Sequence, residues 1–225
     1  MISETFSPFN KPFILDRFCE VVYKTPLRPD HQAQFIFCSS ILQRIGSAGV
    51  FMGKGLEKIL AQKKSVIVKK WFDLTAQTYA PDTAEFLKSK QDQFANPVGG
   101  TMFNGLKGLL DQLEHSMDPE IITSHLDPII RIRAAQHFSP SQATAFILSL
   151  KKVLRKNLTK ELRDSSFAAE LITFESKIDQ LCLMAFDIYM ECREKIFQIS
   201  ANETRNRTFR AFERAGLISE TLEEP

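Results

Sequence analysis

The sequence has no run of 18 apolar residues, and its start, MISETFSPFN, has no basic segment leading into an apolar one. A membrane-spanning helix and a secretory signal are therefore not expected. Only four cysteines occur (Cys19, Cys38, Cys182 and Cys192), and none forms a CxxC pair. That spacing excludes a zinc finger and a disulfide framework and suits a reducing cytoplasm. Without a signal, the three sequons at Asn157, Asn202 and Asn206 read as chance matches. Four histidines (31, 115, 125, 137) are scattered with no HExxH or ExxH spacing, so no metal site and no haem or other cofactor is expected. No Ser-His-Asp or Cys-His grouping can be assembled, and an enzyme is not expected. Charge of one sign is scarce too. The net charge of +2 gives no reason to expect a nucleic acid or an acidic partner. GVFMGKG (49–55) lacks the spacing and the hydroxyl of a phosphate loop.

Helix starts, by contrast, are plentiful. Asn96-Pro97, Asp118-Pro119, Asp127-Pro128 and Ser139-Pro140 each put a capping side chain before a proline that has no amide to leave unsatisfied. Asp82 with Glu85, and Ser139 with Gln142, have capping-box spacing. These signals predict helices over 55–79, 83–94, 97–116, 119–126, 128–137 and 140–157, and a last one from Ser165 that could reach Ala215 before Gly216. No segment alternates as a strand does. The fold class is all-α: a compact helical bundle with a long C-terminal helix.

That last helix carries Leu171, Phe174, Ile178, Leu181, Ala185, Ile188 and Cys192, stepping by three and four. Such a seam belongs inside a bundle. Cys192 within it reads as a small buried hydrophobe. In FDIYMECREKIFQIS (186–200) five of fifteen residues are charged. Phe186, Ile188, Ile196 and Ile199 are expected to feed the core. Arg133 shares a face with Ile129 and Ile130; if buried it needs a partner. Asp187 and Glu194 are the expected acids, making a structural or relay ion pair with it.

The helix predicted over 55–79 bears Lys54, Lys58, Lys63, Lys64, Lys69 and Lys70. They read as the wet side of a packed helix; peripheral contact with a membrane is the other reading, and from it follows the alternative of an accessory protein of a membrane-bound redox complex. A small-ligand-binding helical sensor is a further alternative. Residues 1–52 differ from the rest: seven of the nineteen Phe fall within the first 51 residues, with no period. They are expected to be a poorly ordered extension, and a translation start at Met52 would account for them. A domain over 53–200 and a projecting helix end and tail over 201–225 complete the division.

Three stretches together, WFDLTAQTYAPDTAEFLKSKQDQFANPVGGTMFNGLKGLLDQL, IRIRAAQHFSPSQATAFILSLKKVLR and FDIYMECREKIFQISANETRNR, resemble the N-terminal domain of RsbT co-antagonist proteins of the RsbRD type. The resemblance spans roughly 55–210. It implies a cytoplasmic, non-enzymatic sensory domain of bacterial stress signalling, the input to a C-terminal STAS domain within large complexes, related to globin-like domains without haem. Arg131, Gln136, Tyr189 and Arg193 are the candidate interaction residues. Two departures stand out. His137 replaces an acidic residue before FSPSQ, and no STAS domain follows before Pro225. The expected partner is therefore another signalling protein, such as a STAS-domain protein, or a second copy of the chain.

Overall fold

The computed structural model describes residues 54–89, 96–136 and 138–217. The expectations for residues 1–52, including the start at Met52, lie outside them. Six α-helices and one 3-10 turn make up the described chain: α1 Lys54–Ala76, α2 Pro81–Ser89, α3 Pro97–Glu114, α4 Pro119–Ala135, α5 Pro140–Asn157, the turn Glu161–Arg163, and α6 Ser165–Arg214. There is no strand among the described residues.

The caps work as their chemistry requires. Asn96 accepts from the Gly99 amide, Asp118 from those of Glu120 and Ile121, and Ser139 and Gln142 close a reciprocal capping box. Two expectations need correction. Asp82 does not open α2; the helix begins at Pro81, and Asp82 sits in its first turn beside the positive end of the helix dipole. Asp127-Pro128 does not start a helix either, because α4 runs unbroken from Pro119 to Ala135 with Pro128 inside. Isolated, that proline would cost the helix about 3 kcal/mol. Here Leu126, Ile129 and Ile130, on both sides of it, are fully buried, and their packing holds the two segments on one axis.

α6 is the spine of the bundle, packed chiefly against α4 and α5, while α1 packs on α3 and α5 and α3 lies along α4. Every residue of the seam, Leu171 to Cys192, is buried. Opposite, α1 buries Leu56, Leu60, Ile67, Trp71 and Phe72. The Trp71 indole Nε1–H donates to the Phe146 carbonyl at 2.7 Å, which satisfies the one polar atom of the largest core side chain. Close approach of α3 to α4 depends on Gly105: a Cβ there would stand 2.9 Å from the His125 carbonyl oxygen and 2.8 Å from Ile129 Cδ1. At its far end α6 stops at Gly216, whose φ of +68° an L side chain disfavours, with the Leu217 amide donating back to the Phe212 carbonyl.

Candidate functional site

The residues singled out for function gather where α4 ends, α5 begins and α6 passes behind them. Arg133 lies in the last turn of α4 and is completely buried. Its guanidinium carbon is 4.4 Å from the Phe138 ring centroid, 5.1 Å from that of Tyr79 and 5.2 Å from that of Phe146. Nη2 donates to the Thr78 hydroxyl at 3.0 Å and to the Gln142 carbonyl at 2.8 Å. Arg133 is thus inside, as expected, but its neighbours are aromatic and neutral. The acids proposed for it are not among them. On a helix turning about 100° per residue, Glu194 lies about 160° around α6 from the buried Cys192. Glu194 is exposed and accepts from Gln198, and Asp187 is engaged elsewhere. The ion pair is not formed: Glu194 is turned to solvent, and the half-buried Asp187 is not among the groups around the guanidinium. Burial pulls the Arg133 pKa down, and Tyr79 opposes the shift.

Of the four interaction candidates, Arg131 and Tyr189 are buried and Gln136 and Arg193 are half-buried. Tyr189 is buried, and its hydroxyl donates to the Phe138 carbonyl at 2.5 Å. Arg193 reaches the Ala134 carbonyl at 3.5 Å. Arg131 is buried and binds Asp127 one turn back at 2.5 Å. Burial disfavours its charge, but the bond and charge of Asp127, with Cys192 and Glu191 nearby, together outweigh it, so its pKa is raised. Gln136 caps α4 with its amide on the Ile132 carbonyl. Together these residues tie the α4–α5 junction to α6.

Exposed apolar residues lie on the other side of α6. Leu183, Phe186, Met190 and Phe197 step by three, four and seven, and are 43–72% exposed; Ile172, Phe209 and Phe212 extend the exposed apolar set along the helix. Phe186 is therefore not a core residue, and Ile196 and Ile199 are only half-buried. From 201 to 217 every residue is exposed. A helix with apolar residues on opposite sides has low amphipathicity, which is why the outer stripe escapes a reading that looks for one seam.

Three of the six lysines of α1 bind groups on other elements. Lys63 binds the Asn157 carbonyl at 2.9 Å and Glu161 at 2.6 Å, Lys64 pairs with Asp111 and with Glu114 at 2.7 Å, and Lys70 reaches Asn157. Arg155 of α5 grips the buried Glu175 of α6 with two bonds, at 2.7 and 2.6 Å. Nothing in the local spacing marked that pair. Among the described residues no group of His, Cys, Asp and Glu could hold a metal, and no helix is long and apolar enough to cross a membrane. Burial above all pushes the Cys192 thiol up to about 12, far from a nucleophilic thiolate.

The sequence model of one family, described as the RsbT co-antagonist protein rsbRD N-terminal domain, matches residues 65–204, more than half of the chain. No curated protein and no solved structure matches.

Proposed function

The chain belongs to the family of RsbT co-antagonist protein RsbRD N-terminal domains, a regulatory family of stress signalling, and on that premise we propose that it is a non-catalytic sensory module. It works in the bacterial cytoplasm through contacts with another signalling protein, such as a STAS-domain protein, or with a second copy of itself. The observation that carries the reading is the double-sided α6. One side is locked into the bundle by its seam; the other presents Leu183, Phe186, Met190 and Phe197 to solvent. Exposed apolar residues gathered along one side of a helix are a mark of a protein-binding surface. An input that shifts the packing of α6 against α4 and α5 changes what the outer stripe presents, so the same helix both receives and transmits. The engagement of Lys63 and Lys64 with Glu161 and Glu114 favours this reading over docking on a membrane complex through α1.

The test replaces Met190 and Phe197 with serine and follows the full chain by sedimentation and by capture of STAS-domain proteins from the source cell. Loss of self-association or of capture, with the thermal transition unchanged, is expected. If the wild type sediments as a monomer and captures no such protein, or if the double variant behaves as the wild type does, the reading fails.

A further inference from the structure

The guanidinium of Arg133 is hydrogen-bonded through one nitrogen only. Nη2 holds Thr78 and Gln142, whereas Nε and Nη1 have no hydrogen-bond partner, and Arg133 takes part in none of the ion pairs among the described residues. The rings around it do not resolve this. A π face attracts the cation as a whole, but the N–H groups of a planar guanidinium point outward in its own plane and need acceptors. A buried charge in this state is costly, and a buried donor without an acceptor adds to the cost. The Tyr79 hydroxyl lies within reach of the guanidinium, with which it interacts, but the two are not aligned as a hydrogen bond, and its own O–H has no acceptor. Both rings nearest the guanidinium, Tyr79 and Phe138, come from the turns after α1 and after α4, and they meet edge to face at 5.0 Å. Both are half-buried, so they form the outer cover of a completely buried cation.

We propose that Arg133 is the centre of a binding site for one small oxyanion, a carboxylate or a phosphate, which enters by displacing the Tyr79 and Phe138 rings. The guanidinium supplies the charge and the in-plane donors, and the Tyr79 hydroxyl donates to a second oxygen. In the described conformation the two rings close over the guanidinium. Binding opens the cover at the junction that Tyr189 and Arg193 tie to α6, through the Phe138 and Ala134 carbonyls. The site stands independently of what α6 contacts outside, because its test reads binding and not signalling.

The experiment uses the full chain, with sodium acetate and sodium phosphate as probes and sodium chloride at matched ionic strength as control. One of the two oxyanions is expected to raise Tm, saturably, by roughly 5 °C at a hundredfold excess over its Kd. It should also move the Arg133 Nε–H resonance in protein labelled with nitrogen-15 arginine. Which anion does so tells a carboxylate from a phosphate ligand. Tyr79→Phe keeps the ring and should weaken binding by about tenfold; Arg133→Met should abolish it. If neither anion moves Tm beyond chloride or shifts the Arg133 resonance, the site does not exist. An equal response from folded Arg133→Met overturns it as well. Should that variant not fold, the resonance titration of the wild type decides alone.

Discussion

Ile178→Ala and Phe197→Ser, two cuts on one helix, should separate the two sides of α6. Ile178 is fully buried in the seam, whereas Phe197 is 72% exposed. Ile→Ala removes three carbons, about 2.5 kcal/mol at about 0.8 kcal/mol per buried carbon, and leaves a cavity that raises the cost to about 3–4 kcal/mol. For a chain of this length that corresponds to a fall in Tm of about 10 °C. Phe197→Ser removes a larger side chain, yet from solvent, and should change stability by less than about 0.5 kcal/mol. Circular dichroism melts and urea titrations of the two variants, at a concentration low enough to suppress association, measure both values. If Phe197→Ser melts as early as Ile178→Ala, Phe197 is packed against the same bundle, and the two-sided account of α6 is refuted. If Ile178→Ala melts with the wild type, the seam is not the core.

Gly105→Ala should destabilise the α3–α4 contact by about 1–3 kcal/mol, since the new methyl meets the His125 carbonyl and Ile129; a urea midpoint equal to the wild type would refute the close approach. Arg155→Met strands Glu175, which is buried, while Lys151→Met strands the more exposed Asp179, so the first should lower the urea midpoint more than the second. Cys192 should stay unmodified by iodoacetamide at pH 8 in the native protein, as site-resolved mass spectrometry would show. Its folded pKa, raised to about 12, lies above the ordinary value of 9.0, so the fold prefers the neutral thiol. The resulting contribution to stability is fully present below pH 9 and is lost as pH rises toward 12. A melting temperature rising across that window in a comparison of wild type with Cys192→Ala would contradict the sign.

Much of this molecule was legible before any coordinates. Helix starts are decided by groups a few residues apart, which is why Asn96, Asp118 and Ser139 could be read directly. The α6 seam is a local period, and all seven of its residues are buried. The family, too, lay in motifs that can be read along the chain. What failed was of another kind. Pro128 obeys a local rule that core packing overrode. Phe186 looks like a core residue by type, and only the side of the helix it leaves from decides otherwise.

By itself, then, the sequence determined the class, most helix limits and the inner face of α6, because those depend on short-range hydrogen bonding and on the turn of a helix. The tertiary structure alone decided what Arg133 meets. Its rings come from residues 79, 138 and 146, and its two bonds from residues 78 and 142. No spacing along a chain announces which distant side chains will close around a buried charge, since that choice belongs to the packing of whole helices and of the turns between them.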